Sequence, residues 1–203
     1  MLRRNLLVGM LGACATPAAA GTPGVRLARA AQAQVGVTRG YDPAYVRLAY
    51  PGGDVPRATG VCADVVIRAA RDGLGLDLQA LVHDDMRRAF AAYPSQRVWA
   101  LTATDSNIDH RRVLNLETYW RRQGAELWRA PPRTAGHAFP QGLAPGDILT
   151  WQILGSGPHV GVVSETGRLT QVVHNIGWGA QQVPLLTFLP HRAVAWHRWP
   201  RAA

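Results

Sequence analysis

Cys62, His159 and His174 are the residues of this 203-residue chain whose types and spacing suit covalent catalysis. The sequence holds two cysteines, and Cys14 falls in an N-terminal segment with the character of an export signal. Cys62 is then the one thiol of the remaining chain. It stands in Ala58-Thr59-Gly60-Val61-Cys62-Ala63-Asp64-Val65-Val66-Ile67-Arg68, where a turn-like Thr59-Gly60 precedes residues that read as a helix. A sulfur at a helix start faces unpaired backbone N–H groups and the positive end of the macrodipole, so the position is expected to favour a thiolate. Exported proteins normally pair their cysteines or lack them, and a leftover thiol points to reactivity. The competing reading is a small, inert core residue.

The histidines fall on two apolar runs, 159–164 and 169–174, separated by Glu165-Thr166-Gly167-Arg168. If those four residues form the turn of a hairpin, Ser164 faces Leu169 and, counting outward, His159 faces His174. Directly opposed residues carry their Cβ atoms about 4.5–5.5 Å apart, within imidazole reach. By alternation Gly161 shares that face and leaves a gap where the start of the Cys62 helix would dock, while Val160 and Val162 point the other way. A thiolate, a histidine to hold its proton and a second polar group to orient that histidine are the minimum apparatus of cysteine catalysis. The Cys62 backbone N–H, at the helix start, is a natural donor to a developing oxyanion.

The elements that position these residues can be read from periodicity. The pattern predicts helices over 28–34, 62–72 (stopped at Gly73), 78–93 (capped by Asp77 and ended by Pro94) and from Asn115 to a stop at Gly124. From Pro145-Gly146-Asp147 onward it changes to short apolar runs, 148–154, 159–164, 169–174 and 193–199. Helices first and strands second argue for an α+β fold, with N-terminal helices packed on an antiparallel sheet or small half-barrel.

Residues 1–20 read as a signal peptide: Arg3-Arg4, an apolar stretch 6–11 and a small-residue exit at Ala18-Ala19-Ala20. Leu11-Gly12-Ala13-Cys14 also resembles a lipobox, which would acylate Cys14 and tie the protein to a membrane. Residues 21–203 suit one domain. The net charge is +9, and the basic residues, all arginine, are scattered without a block or an aromatic stripe. Nucleic acid is therefore not expected as a partner, whereas anionic envelope polymers are compatible with the charge. The expected state is a monomer in the periplasm or cell envelope, without cofactor.

The order Gly60-Val61-Cys62-Ala63-Asp64-Val65-Val66, Ala144-Pro145-Gly146-Asp147-Ile148-Leu149-Thr150-Trp151, Pro158-His159-Val160-Gly161-Val162-Val163-Ser164 and Val172-Val173-His174-Asn175 resembles the NlpC-type papain-like cysteine peptidases of bacterial cell walls. Within that superfamily the chain is similar to domain-of-unknown-function family 1287, which Asn107-Ile108-Asp109-His110-Arg111-Arg112-Val113 and Val172-Val173-His174-Asn175-Ile176-Gly177 also bring to mind. One departure stands out: Cys62 is followed by Ala63 instead of Ser-Gly. The resemblance implies a papain-like hydrolase with Cys62 as nucleophile, His159 as base and His174 as the residue that orients it. Asn175 is a competing orienter, although alternation turns it to the opposite face. Tyr50, in Tyr50-Pro51-Gly52-Gly53, resembles the tyrosine that precedes the cysteine in such enzymes and would add its hydroxyl to the oxyanion hole.

The stretch 105–112 is the most polar of the chain. It would either line the substrate cleft, with Asp109 among the lining residues and Arg111 or Arg112 gripping a carboxylate bidentately, or close on itself as a salt-bridged loop. His83-Asp84-Asp85 and Asp109-His110 lack metal-ligand spacing, and no metal is expected. Trp178, between Gly177 and Gly179, could stack on a sugar. The reading that unites these residues is an exported cysteine amidase or endopeptidase acting on peptidoglycan stem peptides or a related envelope substrate. The alternatives are a lipid acyltransferase or thioesterase built on the same Cys-His site, and a non-catalytic envelope binding module.

Overall fold

The computed structural model describes residues 21–132 and 138–201, so the expected signal segment and Cys14 lie outside the described residues. The described chain is α+β. Five α-helices, α1 (Pro23–Gln32), α2 (Cys62–Leu74), α3 (Leu78–Ala89), α4 (Ser95–Trp99) and α5 (Val113–Arg122), precede six strands. The strands are β1 (Glu126–Arg129), β2 (Ile148–Ile153), β3 (Gly157–Glu165), β4 (Gln171–Asn175), β5 (Ala180–Pro184) and β6 (Arg192–His197). They form one open sheet in the order β1-β6-β2-β3-β4-β5, and every pairing is antiparallel. Among the described residues no helix is long and apolar enough to cross a membrane.

Local chemistry sets the helix ends. Pro23 opens α1 and the Thr22 hydroxyl accepts the Val25 N–H at 3.3 Å, which starts the helix five residues earlier than the apolar periodicity predicts. Asp77 caps α3 through the Gln79 N–H, and α2 closes at Gly75, whose φ of 69° lies in the left-handed region. Gly73, expected to stop α2, lies inside it. A Cβ there would stand 2.7 Å from the Arg26 carbonyl oxygen, so this glycine lets α1 and α2 approach closely.

The sheet has an apolar cluster on each face. Cys62, Val66, Leu116 and Trp120 from α2 and α5 pack with Val160, Val162 and Val173 on one side. Trp151, Val163, Val172 and Phe188 fill the other. The register of β3 and β4 differs from the expected hairpin. Val162 faces Val173, Val163 faces Val172, and a bulge precedes Glu165–Gln171, so the strands slide by two residues. A two-residue slip preserves the faces, which is why His159 and His174 still share one, as diagonal neighbours instead of opposed ones. The expected gap at Gly161 is closed: a Cβ there would meet Val172 Cγ1 at 2.7 Å and His174 Cβ at 3.3 Å. α2 packs instead against the Val160/Val162 face.

Candidate active site

Cys62 sits where two strands part. The β3–β4 ladder ends at Val162–Val173, while β4 continues to pair with β5 as far as Asn175–Ala180. The Val163 N–H donates towards the β2 side, to the Asp147 oxygen at 2.8 Å. Alternation therefore turns the Val160 N–H towards β4, where the partner strand has left. The Cys62 sulfur accepts that N–H. Asn175 holds the same segment from the other strand, its Nδ2 donating to the Gly60 oxygen at 2.8 Å and to the Gly40 oxygen at 3.1 Å. The wedge 60–62 thus fills backbone valences that splayed strands would leave unpaired.

The start of α2 rests on a buried ion pair. Asp64 Oδ2 accepts the Val61 N–H at 2.6 Å, and both its oxygens accept from Arg111, at 3.0 Å from Nε and 2.9 Å from Nη2. Arg111 also donates to the carbonyls of Ala44 and Asp42, and its side chain and that of Asp64 are only 2% and 3% exposed. One turn along, buried Arg68 draws in the loop 38–60 through Asp54, Thr38 Oγ1 and the carbonyls of Val55 and Thr59. Gly60 is required between them, because a Cβ would stand 2.9 Å from Asp64 Oδ2.

Burial reverses the expected charge state of the thiol. Desolvation pushes Cys62 up to about 11, against the opposite pull of the Val160, Ala63 and Cys62 N–H groups. The two imidazoles are buried as well. Burial lowers His159 to about 3, with His174 and His191 adding to the effect, and lowers His174 to about 4. The resting thiol and both imidazoles are therefore neutral, the thiol packed with Val160 and Val162 and the imidazoles against Phe188 on the other face of the sheet. His159 Nε2 and His174 Nδ1 are hydrogen-bonded at 3.2 Å. His174 Nε2 is sealed without a partner among the described residues, whereas His159 Nδ1 is not among the sealed atoms. Among the described residues no hydrogen bond joins Cys62 to either imidazole, and Phe188 stacks on His159 at 5.7 Å between ring centroids.

A cavity of about 230 Å³ opens beside the thiol, lined by Tyr41, Val61, Cys62, Trp99, Arg111 and Pro158 among others. Tyr50 is not part of it. Its hydroxyl donates to Asp84 Oδ1 at 3.3 Å and its ring packs on His83, so the tyrosine beside Cys62 is Tyr41. Burial raises the Tyr41 phenol, with Cys62 and Asp64 adding to the shift. The signal that could have found it is its place in the loop just ahead of the cysteine, where Tyr41, Tyr45 and Tyr50 are equivalent by composition. The stretch 105–112 takes the salt-bridged alternative. Arg111 is committed to Asp64, and Arg112 pairs with Asp109 at 3.1 Å while covering the Trp99 ring at 4.5 Å. Neither guanidinium is free to grip a substrate carboxylate, and Asp109, buried, also accepts the Asp105 N–H. Trp178 stands 83% exposed on the β4–β5 turn.

Comparison with known proteins matches residues 28–199 to the family described as a domain of unknown function (DUF1287), and the chain belongs to that family. It is also similar to the uncharacterized protein YijF of Escherichia coli strain K12, with 47% identity over 163 residues, which is 79% of this chain and 75% of that protein.

Proposed function

We propose that this member of the family is an exported cysteine hydrolase of the papain-like, NlpC type, which cleaves an amide bond in peptidoglycan stem peptides or a related envelope substrate. The observation that carries the reading is the wedged thiol. Its sulfur accepts the amide N–H of Val160, the residue next to His159, and His159 is hydrogen-bonded to His174 at the edge of the same opening in the sheet.

In this mechanism His159 donates Nε2–H to His174 Nδ1, which leaves Nδ1 of His159 as the base. Substrate entering the cavity displaces water and the Cys62 sulfur attacks the scissile carbonyl, while its proton crosses to that Nδ1 from the opposite face of β3, through the opening that β4 leaves beside Val160. The Cys62 backbone N–H and the Tyr41 hydroxyl donate to the oxyanion. Collapse to a thioester releases the amine, which takes the proton back from His159, and a water then hydrolyses the thioester. Because thiol and imidazole are both neutral at rest, proton transfer belongs to the attack step and does not precede it.

Mass spectrometry of purified wall fragments after incubation tests the reading. New amide-cleaved fragments are expected with the native protein and absent with Cys62→Ala of unchanged melting temperature. A folded Cys62→Ala protein that is as active as the native one would end the proposal, as would intact fragments with the native protein. The apolar lining of the cavity, with Val61, Ile108, Val113 and Leu114, favours as a second reading transfer or hydrolysis of a lipid acyl group on the same thiol. Release of fatty acid from acyl thioesters by a protein that leaves wall fragments intact selects that reading.

A further inference from the structure

A second concavity adjoins the Cys62 cavity. It measures about 420 Å³ and is lined by Arg97 and Gln96 of α4, Leu114, Glu117 and Arg121 of α5, and Arg129 of β1, with five other residues. The two share a wall, because Leu114 lines both. They also share α4, which gives Trp99 to the thiol side and Arg97 to the other.

The charges of this basin are unbalanced. Arg129 is neutralised by Glu117 at 3.1 Å and Glu126 at 2.7 Å. Arg97 and Arg121 line the basin without an ion pair or side-chain hydrogen bond among the described residues. This distinguishes them from Arg111 and Arg112 next door, whose guanidinium groups are held by Asp64 and Asp109. Two uncommitted guanidinium groups on a concave wall, facing one carboxylate already in use, match an anion with planar oxygen pairs. A volume of this size takes a few residues of peptide and exceeds what a lone inorganic ion fills.

We infer that the Arg97/Arg121 basin is the second subsite of the cleft and binds a carboxylate-bearing arm of the peptide whose scissile amide lies at Cys62. The inference rests on the hydrolase reading for the identity of the peptide, but the subsite itself is a matter of binding. Leu114 then separates two unlike environments, an apolar one for the bond that is cut and a cationic one for the arm that positions it.

Calorimetric titration of the full-length protein with two synthetic probes tests this. One probe is the acidic stem tripeptide alanyl-γ-glutamyl-diaminopimelate, and the other is the same peptide with its carboxylates amidated. The acidic probe should bind about tenfold more tightly for each carboxylate–arginine pair formed, with a preference that weakens as salt rises. Arg97→Gln/Arg121→Gln should abolish the preference; both residues are exposed and, among the described residues, unpartnered, so a native melting temperature is expected and is measured in parallel. Equal affinity for the two probes, binding of neither, or a preference that survives the double substitution overturns the subsite. Wall-fragment cleavage without the preference sinks the subsite alone, whereas the preference without cleavage by native protein sinks the hydrolase reading and leaves the subsite standing.

Discussion

Removing Arg111 should destabilise the protein more than removing any other arginine near the cavity. Its guanidinium makes two hydrogen bonds to Asp64 and two to backbone carbonyls, all inside the structure. In Arg111→Met the methionine fills part of the volume, but Asp64 is left as a buried carboxylate with only the Val61 N–H to answer it. Breaking a buried pair from one side costs about 3–5 kcal/mol, because the surviving charge is uncompensated. Against a domain stability of about 5–15 kcal/mol this is a large fraction. With a urea slope of about 2 kcal/mol per molar, the midpoint should fall by about 1.5–2.5 M. Adding Asp64→Asn should recover part of the loss, since the orphaned charge is then gone, and the double-mutant cycle should report coupling well above that of an exposed pair. An Arg111→Met midpoint within 0.3 M (roughly the error of such extrapolations) of the native value would refute the idea that this ion pair holds the start of α2.

Three further outcomes follow from the same packing. Stability should decline as pH falls from about 6.5 towards 4, because His159, His174 and His110 have their native affinity for protons lowered by burial, and the unfolded chain therefore binds more protons in that window. The slope should be roughly 1.4 kcal/mol per pH unit for each histidine that titrates, and urea midpoints that stay level from pH 7 to 5 would contradict it. Gly161→Ala should lower stability by about 1–3 kcal/mol by overpacking against Val172 and the Val173 carbonyl, a loss that urea melts would register and whose absence would mean that β4 yields. Asn175→Ala should cost a similar amount by freeing the carbonyls of Gly40 and Gly60 and should quicken iodoacetamide labelling of Cys62, whereas unchanged labelling would deny Asn175 its hold on the wedge.

The helices were largely legible because caps and periodicity act locally: Asp77 and Gly124 mark ends that the structure keeps, whereas the helix expected to run to Pro94 breaks at Ala89 and a 3-10 turn over Phe90–Ala92 follows it. The strands that escaped notice are β1 and β5, the two edges of the sheet. An edge strand buries little, so Gln181 and Gln182 in β5 and the charged ends of β1 carry no run of apolar residues to betray them. α4 escaped for another reason, since five residues between Pro94 and Ala100 are too few to show a helical period.

The arrangement of the candidate residues depends on contacts that no local pattern carries. Alternation correctly sets Asn175 on the face opposite His174, because parity along a strand is local chemistry. It cannot say which face the Cys62 helix covers, since that depends on the bulge before Glu165 and on where β3 and β4 separate. The charge state of the thiol was misread on the same ground. A helix start argues for a thiolate only while full hydration or a cation supports the charge, and here burial desolvates the sulfur while Arg111 is already bound to Asp64. The lone cysteine thus reads from sequence as an activated nucleophile and from structure as a buried, neutral thiol. A resting thiol of this kind should label slowly with or without catalytic competence. Cleavage of a substrate, and not the alkylation rate at neutral pH, is therefore the measurement that separates an enzyme from an inert binding module.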